Sequence, residues 1–314
     1  MPQLLLRNFC TGVGRKKRLW VFDKQSGREF PSAPRNVANE GKFYDFKIKG
    51  KPHSLDPAIG RLEDKVGADI YSIIATRTLP SDPETRIRLA SFVALQKLRT
   101  DSQRQQYMHL FELLEGTLKE RQAPNAAPFF TQPTAEELHA ETITIIPELS
   151  RVTAQHILAK SWMLFGTSHR DPFYISDNPV TMHNTLNQHP LMGGAGLALL
   201  GVEIYLPISD TLCMGFLCPS IEAWLRESLK RTEMAAPSQS IDYVRSMVDA
   251  FDGNRVHMLD PVNVMHQNSL QVDNAEKQVY SRIQEFSVAK EMIALDPKFK
   301  SGQRYTMGPP GKLY

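Results

Sequence analysis

Ser176-Asp177-Asn178-Pro179 follows directly on the apolar run Phe173-Tyr174-Ile175. A polar turn at the exit of a strand is a common seat for working side chains, because the rigid element fixes where they stand. Pro179 drives Asn178 toward extended backbone and so sets its direction. Asp177 has the chemistry of a general base or a metal ligand. Asn178 and Ser176 can hydrogen-bond a substrate. An Asx-turn, in which Asp and Asn satisfy their own backbone, accounts for the same residues without a ligand.

Gln96 and Arg99 lie three apart and so share one helix face. A semi-buried guanidinium beside Ala94-Leu95 and Leu98 needs an anion, since an unpaired buried charge is costly. A phosphate, a ligand carboxylate or Asp177 itself would serve. A structural salt bridge or the dipole at the helix end would serve equally. Taken together, Asp177 as base, Arg99 at the phosphate charge and Asn178 with Gln96 as positioning groups describe a phosphodiester hydrolase.

Other candidates are weaker in pattern. His156 sits on an apolar helical stripe, where a core imidazole and a general base are both readings. His169, Asp171, Asp177, His183 and His189 are metal-ligand types, but their spacing fits no compact metal motif. Arg15-Lys16-Lys17-Arg18 precedes Trp20, and basic residues beside an aromatic can grip a phosphate backbone and stack a base. A solvated loop leading into a core tryptophan reads the same way.

The elements that must position these groups follow from periodicity. Leu19-Trp20-Val21-Phe22, the turn Lys24–Gly27 and Arg28-Glu29-Phe30 predict a hairpin. Tyr44, Phe46 and Ile48 alternate with Asp45, Lys47 and Lys49, a half-buried strand. Residues 55–165 read as helical. Asp82-Pro83-Glu84 starts a helix that runs to about Arg99, and Thr100-Asp101-Ser102 recaps a second, with Tyr107, Leu110, Phe111, Leu114 and Leu118 on one face. Residues 121–135 read as a loop. A third helix is expected from about Pro147-Glu148, its stripe Leu149, Val152, His156, Ala159 and Met163. Strands return over 172–218: Phe173–Ile175, then a Gly-rich loop at 193–196, then Val202–Leu206, a turn at Pro207–Asp210 and a return strand Thr211–Cys218. Helices are expected at Ser220–Lys230 and Pro261–Arg282. Strands separated by helical blocks, without one-for-one alternation, predict α+β. The sheet is expected to be small, mixed or antiparallel, built from the N-terminal and 172–218 segments and packed with a helical layer.

The 314 residues are 41% hydrophobic and 23% charged, which excludes a collagen, a coiled-coil rod and a disordered tail. A formal net charge of +3 is too weak to imply nucleic acid by itself. Residues 1–53, however, hold 12 basic and 4 acidic residues, and the remainder 25 and 30. Such asymmetry can mark a basic binding face, or simply a solvated segment. Three sparse cysteines, Cys10, Cys213 and Cys218, make no disulfide framework and suggest a reducing, cytoplasmic setting. No secretory signal and no spanning segment is visible. Neither GxxxxGK[ST], GxGxxG nor GxSxG occurs. The sequence specifies no cofactor and no oligomeric state.

The chain resembles the DUF4238 family, a mainly bacterial group of uncharacterised proteins. The carrying segments are Pro2-Gln3-Leu4-Leu5-Leu6-Arg7-Asn8-Phe9, Trp20-Val21-Phe22-Asp23-Lys24 and Phe92-Val93-Ala94-Leu95-Gln96-Lys97-Leu98-Arg99-Thr100. They continue with Trp162, Phe173–Val180, Leu206-Pro207-Ile208-Ser209 and the late helix with Asn268, Ala275 and Tyr280. The resemblance spans roughly residues 1–285. The family usually opens with a His-Tyr-Val-Pro-Gln-like motif. Here Met1 precedes Pro2, so a chain short of a residue or two at its front is expected. Asp101 stands where a proline usually follows Arg-Thr. Some relatives look like single-gene anti-phage defence proteins, which would suit an enzyme acting on nucleic acid. The resemblance implies that Gln3, Gln96, Arg99, Asp177, Asn178 and Asn268 can converge on one pocket.

The expectation is therefore one α+β domain over residues 1–300, with a helical insertion at about 55–165 and a flexible tail at 301–314. Asp177, Arg99 and Asn178 are its candidate catalytic residues. Gln3, Gln96, Ser176 and Asn268 are its candidate substrate-binding residues, and no metal ligands are assigned. The alternatives to a hydrolase are a non-catalytic module that binds nucleic acid or a partner through the basic N-terminal segment, and a protein whose motif residues form a buried polar network.

Overall fold

A computed structural model of the chain describes residues 2–37, 44–48, 51–106, 135–186, 196–232 and 239–303. The helices are α1 (Gln3–Leu6), α2 (Asp56–Thr76), α3 (Pro83–Leu98), α4 (Ala135–Leu158), α5 (Pro219–Thr232), α6 (Gln239–Asp252), α7 (Pro261–Asn274) and α8 (Ser287–Leu295). The strands are β1 (Leu19–Asp23), β2 (Glu29–Ser32), β3 (Asp45–Ile48), β4 (Lys51–Ser54), β5 (Ser161–Gly166), β6 (Ile175–Ser176), β7 (Thr181–Asn184), β8 (Val202–Ser209), β9 (Leu212–Leu217), β10 (Val256–Met258) and β11 (Gln278–Ser281). The fold is α+β.

Two sheets organise it. One is antiparallel in the order β2-β1-β11-β6; the other is mixed, in the order β10-β5-β9-β8-β7, with only the β10–β5 pair parallel. The N-terminal and 172–218 segments thus do not build one sheet. β1, β2 and β6 meet through the late strand β11, while β7, β8 and β9 belong to the other sheet. Helix α7 packs against β6 of the first sheet and β7 of the second, and so joins the two.

The local chemistry explains the elements that the sequence predicts. Asp23 Oδ1 accepts from the Ser26 N–H and hydroxyl, and Gly27 takes a positive φ of 69°, which closes the β1–β2 hairpin. Asp82 caps α3 by accepting from Thr85 N at 2.9 Å, with Pro83 at the first helical position. Thr100 Oγ1 accepts from Gln103 N at 3.2 Å and starts the helical turn at 101–106. Leu95, Ile59, Ile143 and Ile146 bury α2, α3 and α4 against one another. Phe22, Tyr174, Val272, Val279 and Phe286 seal α7 and α8 to the antiparallel sheet. The stripe Tyr107–Leu118, most of the 121–135 loop and residues 193–195 lie outside the described residues.

Four expectations are corrected. The helical block ends in a strand, β5, whose run Trp162–Phe165 is buried on both faces and so shows no alternation. Helix α4 starts at Ala135, and Pro147 lies inside it. A proline costs a helix one hydrogen bond, but Ile143 and Ile146 before it and Ala154 and Ile157 after it are buried. The stripe through Leu149, Val152 and Ala159 does not face the core, and Met163 belongs to β5. Strand β8 continues through Pro207 to Ser209, with a register shift there, so the turn is shorter than expected. Helix α7 ends at Asn274, and Val279 and Tyr280 lie in β11.

Candidate functional site

Helix α7 begins at Asp260, whose Oδ1 accepts from Asn263 N at 2.8 Å. Asn268, Gln271 and Asn274 then recur every third residue, on one face. That face is laid along the extended segment 172–180. Asn268 accepts from Tyr174 N at 2.7 Å and donates to Pro172 O at 3.0 Å. Gln271 accepts from Ser176 Oγ and donates to Pro179 O, each at 2.9 Å. Asn274 donates to Asn178 O at 2.7 Å and to Val180 O at 3.1 Å. Three side-chain amides thus take the place of a neighbouring strand. Asn178 completes the set by donating from Nδ2 to Asn274 O at 3.0 Å.

Asp177 faces the turn between α7 and β11. Its carboxylate accepts from Glu276 N at 2.8 Å, Lys277 N at 2.7 Å and Gln278 N at 2.9 Å. Burial pushes its pKa up, against the pull of those three N–H groups and of Lys24. Lys24 is fully buried beneath the same turn. Its ammonium donates to Val272 O at 2.7 Å, to Ala275 O and to Ser301 O, which satisfies carbonyls at the end of α7 that no helical N–H can reach. Lys277 extends the cluster outward by pairing with Asp101 Oδ2 at 2.7 Å, and Asp101 also pairs with Arg104.

The structure therefore brings Ser176, Asp177, Asn178 and Asn268 together, as one hydrogen-bonded network. It does not bring the remaining candidates to them. Arg99 pairs with Glu63 at 2.6 Å and donates from Nε to Gln96 Oε1 at 3.0 Å, so its carboxylate partner is Glu63 and not Asp177. Gln96 is buried, and its Nε2 has no hydrogen-bond partner among the described residues. Gln3 donates to Pro34 O at 2.9 Å, near the N-terminus. His156 is half-buried on α4. His169 pairs with Asp210 at 2.5 Å, and His183 meets His266 edge-on. His189 lies outside the described residues. Among the described residues no group of three or more His, Cys, Asp or Glu is placed to hold a metal ion.

Several members of the network were not singled out from sequence. Gln271 and Asn274 carried a signal, their three-residue spacing from Asn268. Lys24 and Asp101 read from sequence as a turn residue and a cap residue, and Lys277 carried no signal, because the turn they meet at is a tertiary feature.

A different region concentrates charge. Burial pushes the Cys10 thiol up to about 11, and Lys17, Arg18, Arg282 and Arg7 all pull it down. Arg282 donates to Cys10 O at 3.4 Å and Arg18 bridges to the neighbouring Thr11, so cations from separate parts of the chain lie near this residue. Arg282 has an acidic partner, Asp210 at 3.4 Å. Arg7 and Lys17 have none among the described residues, nor does the exposed Lys16 beside them. Arg18 donates to Lys17 O at 2.9 Å and is exposed. Trp20 is half-buried and packs on the core around Phe22. The side chain of Arg15 lies outside the described ones.

Cys10, Cys213 and Cys218 are buried and free. No helix among the described residues is long and apolar enough to cross a membrane. A family model described as a protein of unknown function, DUF4238, matches residues 1–285. No curated protein and no solved structure matches the chain.

Proposed function

The chain belongs to the DUF4238 family of proteins of unknown function, and for it we propose a non-catalytic role: a cytoplasmic module that binds single-stranded nucleic acid through its N-terminal basic face. One observation carries this reading: Arg7 and Lys17 have no carboxylate partner among the described residues, and they share the stretch around Cys10 with Arg18, which bridges to Thr11, and Arg282, which donates to Cys10 O at 3.4 Å. Cations left without acidic partners are free to displace counterions from a phosphate backbone, the main source of sequence-independent affinity. The half-buried Trp20 beyond Arg18 leaves part of an aromatic ring for a base.

The hydrolase reading needs Asp177 and Arg99 at one substrate. Asp177 accepts from three backbone N–H groups and Arg99 pairs with Glu63. Both are accounted for as scaffold, which is why binding without catalysis is preferred. The test is fluorescence anisotropy of a labelled single-stranded RNA with the wild-type chain and with the triple variant Arg7→Glu, Lys17→Glu, Arg18→Glu. The proposal expects binding by the first and its loss in the second. Equal affinity in both would refute it.

A further inference from the structure

Positive charge without an acidic partner among the described residues occurs a second time, at a half-open cleft. The segment Leu79–Ser81 between α2 and α3, strand β5 and the end of α6 border a half-open cleft of about 310 Å³, at the small end of ligand pockets. Leu79, Trp162 and Phe251 supply apolar walls, Arg86 and Arg255 supply charge, and no Asp or Glu lines the space. The Arg86 guanidinium lies over the Trp162 ring, 5.0 Å from its centroid, and its Nε donates to Pro80 O at 3.1 Å. Its two terminal nitrogens make no hydrogen bond with a described residue. Arg255 stands exposed at the rim, and its guanidinium has no hydrogen-bond or ion-pair partner among the described residues.

The walls are fixed rather than loose. Asn254 adopts a positive φ of 45°, a conformation that asparagine tolerates better than most residues. From there its side-chain amide accepts from Leu79 N at 3.0 Å and donates to Leu79 O at 2.8 Å, which clamps the loop to the end of α6. A Cβ on Gly253 would meet Arg255 Nε at 3.0 Å, so the glycine leaves room for that side chain.

We propose that this cleft binds a small organic anion, its phosphate or carboxylate held by Arg86 and Arg255 and its ring-sized apolar body against Leu79, Trp162 and Phe251. Guanidinium forks match the geometry of both oxyanions. With no carboxylate in the walls, an entering anion displaces no internal partner. A cation would meet two like charges and no counter-charge.

The site is separate from the N-terminal basic face, and calorimetry on the full chain tests it independently. The probes are phenyl phosphate, benzoate, AMP, inorganic phosphate and benzylamine. Phenyl phosphate or benzoate should bind more tightly than inorganic phosphate, and benzylamine should not bind. The better of the two names the head group, and AMP above phenyl phosphate would point to a nucleotide. Arg255→Ala should weaken the preferred probe about tenfold or more, the scale of one lost charge-assisted hydrogen bond. Leu79→Trp, which fills the cleft, should abolish binding. The triple N-terminal charge reversal should leave it unchanged, which separates failure here from failure of the nucleic-acid reading. No heat from any anion at millimolar concentration, or the same affinity in Arg255→Ala, would overturn the proposal.

Discussion

The backbone N–H of Lys277 meets the Asp177 carboxylate at 2.7 Å, while the ammonium of the same lysine meets Asp101, also at 2.7 Å. Asp101, which follows the Arg99-Thr100 segment, and the distant Ser176-Asp177-Asn178 turn are therefore joined by a turn that neither contains. Lys24 supports that turn from beneath, its own N–H donating to Lys277 O at 2.9 Å. Two of the segments that carry the family resemblance, Trp20–Lys24 and Phe173–Val180, thus converge with the late helix at the end of α7.

Asp177→Ala should destabilise the fold by about 3 kcal/mol, because it leaves three backbone donors without an acceptor at a half-buried position. Asp177→Asn keeps one carbonyl oxygen and should lose less. Denaturant unfolding measures both. RNA affinity should not change in either. Wild-type stability in Asp177→Ala would show that the carboxylate is not a scaffold.

Lys24→Met removes the donor from the carbonyls of Val272 and Ala275 at the end of α7. The expected cost is about 2 kcal/mol. The amides of Glu276, Lys277 and Gln278 should exchange hydrogen faster, because the turn loses its support. Unchanged protection at those three amides would contradict this.

Asp101 gives a pH dependence with a definite sign. Burial pushes its carboxyl up, but the Lys277 ammonium and the Arg104 guanidinium outweigh that and hold it below the usual carboxylate value. A depressed folded-state pKa contributes stability that is present above the unfolded pKa, about 4, and is lost as pH falls through the folded value. The stability gap between wild type and Asp101→Asn should therefore be full at neutral pH and close in acid. A gap independent of pH would show that the ion pairs do not contribute.

A single-stranded RNA incubated with the protein and Mg²⁺ or Mn²⁺ should be recovered intact, since binding is proposed without hydrolysis. Gel electrophoresis of the end-labelled strand checks this. Cleavage that disappears in Asp177→Ala variants still able to fold would restore the hydrolase reading.

Where periodicity or a cap decides a structure locally, the sequence was informative. The β1–β2 hairpin, the start of α3 at Asp82 and the strand Asp45–Ile48 are of this kind. Where burial on both faces removes the pattern, it was not. Trp162–Phe165 reads as a helix stripe by composition but lies in the middle of a sheet, and Val279-Tyr280 reads as a helix end but pairs with β1. The same limit applies to the candidate site. Ser176, Asp177, Asn178 and Asn268 were legible as polar residues in special places. Their partners were not, because Lys24, Asp101 and Lys277 reach the turn only through tertiary packing. Arg99 was legible as a semi-buried cation in need of an anion, yet Glu63 as that anion was not.

The most direct test of the central claim is the salt dependence of RNA binding. Each phosphate neutralised on a single strand contributes about −0.7 to the slope of log affinity against log salt, so three or four engaged cations predict a slope of about −2 to −3. The wild-type chain should show that slope, and the Arg7→Glu, Lys17→Glu, Arg18→Glu variant, denaturing at the wild-type midpoint, should show no measurable binding. Affinity that is indifferent to salt, or a slope that survives the triple reversal, would contradict the account.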